Sequence, residues 1–151
     1  MPIIRLATET DIPSILELYQ ELNTTPYQTR HDRSPSMEEC RRVFAEISET
    51  PGHELVIAEE SGNIIGTLVL LIVPNLSHGA LPWALVENMV VTRSHRHQGI
   101  GKSLMEYVLK RARDAGCYKT TLNSNKKRRG AHRFYRSVGF ESLAIGFRHY
   151  L

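Results

Sequence analysis

Cysteine is scarce in this chain: Cys40 and Cys117 stand far apart, and neither belongs to a CxxC pair or a Cys/His cluster. That excludes a disulfide scaffold and fits a reducing compartment. The opening residues, Met1-Pro2-Ile3-Ile4-Arg5, lack the long apolar core of a signal peptide. The longest apolar stretch, Ile64 to Val73, is about half of a membrane span and is interrupted by Gly66 and Thr67. A cytoplasmic protein with no membrane partner is therefore expected. Charge of one sign is also in short supply. A net charge of +3 and a pI of about 9.0 do not make the concentrated basic face that nucleic acid requires. The excess suits an enzyme with a small polyanionic ligand, and equally an ordinary surface. No repeat, low-complexity segment or linker divides the chain, so residues 1–151 are expected to form one domain.

What is present is a regular succession of elements. Ile3 to Ala7 reads as a strand, and Thr8 as the cap of a helix bearing Ile12, Ile15, Leu16, Tyr19 and Leu22 at helical spacing. Asn23 to Pro35 is polar and reads as a loop. Ser36 followed by Glu39 is a capping-box pattern opening a helix with Met37, Cys40, Val43, Phe44 and Ile47. Glu54–Glu59 and Ile64–Val73 read as a hairpin around Ser61-Gly62-Asn63. After a loop from Pro74 to Pro82, a strand is expected over Trp83–Thr92 and a helix from about Gly99 to Ala115, ended by Gly116. Cys117–Leu122 reads as a strand, Arg129–Val138 as a short helix ended by Gly139, and Phe140–Leu151 as a final strand region. The order predicts a mixed sheet with helices on its faces.

Chemistry concentrates where the strand ending at Thr92 turns into the helix after Gly99. Two glycines one residue apart sit at the helix start, where backbone N–H groups lack intrahelical partners and the helix dipole is positive. Such a place suits phosphate or diphosphate, although glycines that only turn the chain would look the same. Gly101-Lys102-Ser103 matches the tail of a P-loop, GxxxxGK(S/T), but the first glycine would fall on Arg96. The dinucleotide fingerprint GxGxxG fails because Leu104 stands three residues after Gly101. Arg96-x-x-Gly99-x-Gly101 remains.

This segment resembles motif A of the GNAT acetyltransferases. Ala131-His132-Arg133-Phe134-Tyr135-Arg136-Ser137-Val138-Gly139-Phe140 resembles their motif B, at a separation that leaves room for one helix and one strand. The resemblance covers nearly the whole chain. It implies an α/β (α+β) GNAT fold, a mostly antiparallel mixed sheet of about six to seven strands flanked by about four helices. It implies acetyl-CoA as cofactor, its diphosphate held by Arg96, His97, Gln98, Gly99, Ile100, Gly101, Lys102 and Ser103. The pantetheine arm would pair with Met89, Val90 and Val91, and Asn125, Phe134 and Tyr135 would lie along it. The activity implied is N-acetyl transfer to a primary amine, and a homodimer is implied because such domains often pair through their later strands.

Two residues are candidates for the proton transfers. Glu87 is a carboxylate in an otherwise apolar strand, where an unpaired buried charge is costly; it is the expected base, acting through water, unless it faces solvent or an arginine. Only about one alkyl amine in 10³ is neutral at pH 7, so a base raises the reactive fraction. Tyr135 stands where the family motif carries its tyrosine and is the expected acid, unless it is helix core beside Phe134. The run Lys126-Lys127-Arg128-Arg129 reads as a solvated loop or as a contact for an anion. His95 and His97 lack a third ligand, so no metal is expected. The segment Leu122 to Arg128 followed by Ala131 to Tyr135 is similar to aminoalkylphosphonate acetyltransferases, and Gly116-Cys117-Tyr118-Lys119 to glucosamine-6-phosphate acetyltransferases. Both suggest a small anionic amine. A CoA-binding module without catalysis, an acetyltransferase acting on a protein amine, and a nucleic-acid binder built on the basic loop are the alternatives; no recognition helix supports the last.

Overall fold

The computed structural model describes residues 1–22 and 33–151. Residues 23–32, most of the expected loop from Asn23 to Pro35, lie outside the described residues. Five strands form one sheet in the order β1 (Ile3–Leu6), β2 (His53–Glu60), β3 (Asn63–Val73), β4 (Trp83–Val91) and β5 (Thr120–Leu122). The helices are α1 (Ile12–Leu22), α2 (Met37–Glu49), the single turn α3 (Ser77–Ala80), α4 (Ile100–Asp114) and α5 (Arg129–Ser137). The fold is the mixed α/β type expected, with fewer strands than six or seven among the described residues. The chain divides after Thr121 into two compact units, 1–121 and 122–151.

In the first unit, β1 to β4 pair antiparallel in chain order. The β2–β3 hairpin turns at Ser61 and Gly62, with φ of 51° and 80°; two left-handed residues make the tight turn whose twist suits a hairpin. Tyr118 N–H donates to Pro82 O and Ala84 N–H to Lys119 O. Residue numbers rise together across those bonds, so the segment leading into β5 runs parallel to β4, as a strand reached through a crossover helix should.

The core explains why β3 is a nearly continuous apolar run: both of its faces are covered. On one face Val69 joins Leu55, Ile57 and Ile15 of α1, with Tyr19, Phe44 and Ile47 against them. On the other face α4 buries Ile100, Leu104, Met105, Val108 and Ala112. A Cβ on Gly66 would meet Leu104 Cδ1 at 3.2 Å and Val90 O at 3.3 Å, so the glycine lets α4 approach the sheet closely. Arg111 and Tyr107 of α4 both donate to Glu54 of β2, the arginine at 2.7 and 3.1 Å. Arg5 of β1 similarly joins Asp11 and Glu59 at 2.7 and 2.8 Å. Asp11 accepts from the N–H of Thr8 at 2.8 Å, starting a three-residue 3-10 turn that runs into α1.

The second unit holds the last residue of β5, helix α5 and the segment after it. Here one expectation is corrected: Phe140–Leu151 is irregular, not a strand. Leu143, Ile145 and Phe147 have the alternation that suggests a strand, but all three are well exposed. Leu143 N–H turns back to Glu141 O instead of entering a ladder. Alternation alone cannot make a strand, which needs a partner for its main-chain groups. The expected strand Cys117–Leu122 is likewise shortened to Thr120–Leu122.

Candidate active site

Strand β4 is not regular where it approaches its end. Thr67 pairs with Val90 and Val69 with Glu87, so three steps on β4 match two on β3. This is a β-bulge around Asn88 and Met89, and Asn88 takes a φ of 52°. Non-glycine residues in the left-handed region store strain, and such residues gather at functional sites. Glu87 lies immediately before the bulge and is exposed. The burial cost that singled it out therefore does not arise, because its carboxylate faces solvent. Beyond the bulge Val90 is buried, while Met89 and Val91 are half-buried.

After Val91 the chain makes a short 3-10 turn, Arg93–His95, and then enters α4 through two left-handed residues, His97 at φ 61° and Gly99 at φ 84°. Gly99 caps the helix with no side chain. The first N–H used inside α4 is that of Ser103, which donates to Gly99 O at 3.0 Å. Upstream, Arg96 N–H reaches Arg93 O at 3.4 Å. Between them, the N–H groups from His97 to Lys102 have no partner among the described residues. Backbone donors are costly to leave unpaired when water is excluded. A row of six at a helix start, with no acidic residue in the first turn, is chemically suited to an anion.

Side chains hold this turn in place. The Arg96 guanidinium donates from Nε to Val91 O at 3.0 Å and from Nη2 to Glu21 at 3.3 Å. Gln98 Nε2 donates to Ser94 O at 3.1 Å. Arg96 and Ser103 already use their N–H groups, and the Arg96 side chain is committed to the turn. His95 pairs with Ser94 Oγ at 2.9 Å.

In the second unit, Asn125 Oδ1 accepts from Lys127 N–H at 2.9 Å, and its carbonyl pairs with His132 Nε2 at 2.8 Å. This Asx turn leads the basic run, whose side chains are exposed, into α5. Tyr135 is half-buried, its ring 5.4 Å from Phe134 and 6.2 Å from Phe140. Burial pushes its phenol above the usual tyrosine value, and the Arg128 charge opposes this. Ser124, not among the expected site residues, has a buried hydroxyl oxygen with no hydrogen-bond partner among the described residues. Buried polar atoms are almost always satisfied, so an orphan beside Asn125 marks a place for a ligand or water. No spacing or motif distinguishes such a serine in the sequence.

Comparison with known proteins makes the class definite. Residues 12–140 match the Acetyltransferase (GNAT) family, and the chain belongs to it. It is 32% identical to the aminoalkylphosphonate N-acetyltransferase of Salmonella typhimurium, over 97% of this chain and 91% of that one. It is 29% identical to the glucosamine 6-phosphate N-acetyltransferase of Trypanosoma brucei brucei, over 92% and 88% respectively. Among solved structures, the glucosamine-6-phosphate N-acetyltransferase of Arabidopsis thaliana superposes with a TM-score of 0.84 at 25% identity, covering 99% of this chain and 98% of that one. The chain is an N-acetyltransferase of this family, using the acyl-CoA chemistry that defines it. Among the described residues, no helix is long and apolar enough to cross a membrane.

Proposed function

We propose that the protein moves the acetyl group of acetyl-CoA to the primary amine of a small anionic acceptor, directly within a ternary complex. The observation that carries this reading is the row of six unpaired N–H groups, His97 to Lys102, at the start of α4. Acetyl-CoA, when bound, supplies an acetyl group activated as a thioester. The backbone of residues 97–102 grips its diphosphate. The main chain of Met89–Val91 pairs with the amide-bearing arm as an added strand would, and Asn125, Phe134 and Tyr135 line that arm. An anionic acceptor accords with the phosphate and phosphonate in the relatives' names.

Glu87 accepts the proton that the acceptor's ammonium group must lose before it attacks. Its exposure keeps a water within reach, which suits a base acting through a relay. Tyr135 donates its phenolic proton to the departing sulfur. Its raised pKa keeps the phenol protonated throughout the neutral range, so it remains a donor. Holding both reactants side by side contributes much of the remaining acceleration.

A screen of thiol release from acetyl-CoA over a panel of amines tests this reading. Turnover is expected to concentrate on phosphorylated or phosphonate amines. CoA binding with no release on any amine would leave a binding module instead. Tyr135→Phe is expected to lower kcat about a hundredfold with little change in CoA affinity, and equal turnover would remove the acid role. Glu87→Gln should move the rate profile to higher pH, because the amine must then lose its proton unaided; an unmoved profile clears Glu87 of base duty.

A further inference from the structure

Glu21 stands in the last turn of α1, about seventy residues before the turn that follows β4, yet its carboxylate is the centre of that turn's hydrogen bonding. Oε1 accepts from Thr92 Oγ1 at 3.0 Å. Oε2 accepts from Arg93 N–H at 3.0 Å and from Arg96 Nη2 at 3.3 Å. One carboxylate thus gathers three donors from a stretch of five residues, and its side chain keeps only 25% exposure. An ordinary surface ion pair contributes almost nothing. A carboxylate taking a backbone N–H, a hydroxyl and a guanidinium together is a different object.

The turn it holds needs holding. His97 and Gly99 both occupy the left-handed region, and such conformations persist only where the surroundings over-determine them. Glu21 fixes the entrance of the turn, Gln98 bonds back to Ser94 O across it, and Ser103 closes the first turn of α4. The contrast in donors is informative. The Arg93 N–H, which would otherwise be another orphan, is taken by Glu21, whereas the six from His97 to Lys102 are left open. A carboxylate this close to an anion receptor is electrostatically unfavourable unless neutralised, and Arg96 supplies the compensating charge.

We propose that Glu21 is a positioning residue for cofactor binding: from α1 it anchors residues 92–96 so that the N–H groups of 97–102 converge on one anion. The inference rests on reading the turn as the coenzyme A site. Its role is to preorganise the receptor, so it acts on affinity for the cofactor and not on the chemistry of transfer.

The test compares the wild-type protein with Glu21→Ala, Glu21→Gln and Thr92→Val. Backbone hydrogen exchange is measured without ligand, CoA affinity by calorimetry, and KM separately for acetyl-CoA and for the amine. Glu21→Ala is expected to weaken CoA binding and raise the acetyl-CoA KM roughly tenfold, with the amine KM unmoved and kcat within about threefold. Exchange should quicken at Arg93, His95 and Arg96, whose N–H groups carry the turn's hydrogen bonds, and not in β2 or β3. Glu21→Gln keeps an acceptor but cannot balance Arg96, and should fall between the two. Thr92→Val removes a single bond and is expected to cost about threefold; it carries the test should Glu21→Ala fail to fold. Wild-type CoA affinity in Glu21→Ala overturns the proposal, as does a lowered kcat with unchanged KM and faster exchange throughout the sheet. If the wild-type protein itself binds no CoA, the proposed function falls, and unchanged exchange at Arg93, His95 and Arg96 in Glu21→Ala would then sink the anchor separately.

Discussion

Helices α2 and α4 begin in opposite ways. At α2, Ser36 Oγ accepts from Glu39 N–H at 3.1 Å, and the Glu39 carboxylate accepts from Ser36 N–H at 2.7 Å. Arg33 adds two bonds to the same carboxylate, at 2.8 and 3.2 Å. The helix satisfies its own first donors, as a capping box should. At α4 the cap is a glycine in the left-handed region, no side chain reaches back, and six consecutive N–H groups stay open. Yet α4 is the better buried of the two: five of its side chains are in the core, and none of α2's is fully buried. A helix held that firmly by packing does not need its cap for stability. Its N-terminus is therefore free to serve a ligand, while α2, which lacks such packing, spends its end groups on itself.

The largest effect should come from giving α4 the self-satisfaction that α2 has. Gly101→Glu places a carboxylate in the first turn of α4, at a half-exposed position. Replacing glycine inside a helix and adding a negative charge near its N-terminus each stabilise by about 0.5–1 kcal/mol. The protein is expected to melt at the same temperature or higher. The same carboxylate occupies the anion receptor, and like charges facing each other cost several kcal/mol, so kcat/KM for acetyl-CoA should fall about a hundredfold or more. Thermal unfolding and steady-state kinetics on one preparation check both halves. Retained activity would show that the bare end of α4 is not where the diphosphate sits.

The converse change at α2 should be smaller and purely structural. Ser36→Ala removes the hydroxyl that caps Glu39 N–H and is expected to destabilise by about 1 kcal/mol, lowering Tm by about 2–4 °C for a chain of this size. The acetyl-CoA KM should not move. A shift in KM without a shift in Tm would mean that the two helix starts are coupled, and the contrast drawn between them would fail.

How much of this was legible in the sequence follows from the range of each interaction. The α2 capping box and the span of α4, foreseen to within a residue at each end, depend on neighbours three or four positions apart and could be read directly. The bulge at Asn88 could not, because one extra residue in an apolar strand leaves the composition of Trp83–Val91 looking regular. Glu21 was invisible for a different reason: its three partners lie more than seventy residues away, and only the packing of α1 on the sheet brings them together. The tail failed in the opposite direction, since the alternation of Leu143, Ile145 and Phe147 is a local signal with no ladder behind it. Arg96 is expected from the motif to contact the cofactor, and its guanidinium bonds to Val91 O and Glu21. What a motif position does depends on who else is within reach.

The smallest expected effect separates the two helix starts by pH. The Arg33 guanidinium first, and then the Ser36 N–H and hydroxyl, pull the Glu39 carboxyl down from 4.5 to about 2. A carboxyl whose pKa is lower in the folded state than in the unfolded chain adds stability above the unfolded value. That contribution is lost as pH falls from about 4.5 toward about 2. Glu39→Gln keeps an acceptor for Ser36 N–H and removes the ionisation, so stability should vary less steeply with pH across that window than in the wild-type protein. Because the carboxyl is partly exposed, salt should shrink the difference. The start of α4 carries no acidic residue in its first turn, so its amides have nothing to lose on acidification. Hydrogen exchange followed from pH 5 to pH 3, corrected for the intrinsic rate, should therefore loosen Glu39 and Cys40 before Ser103, the first bonded amide of α4. Loosening of both helix starts together would mean that Glu39 is not what holds α2 closed.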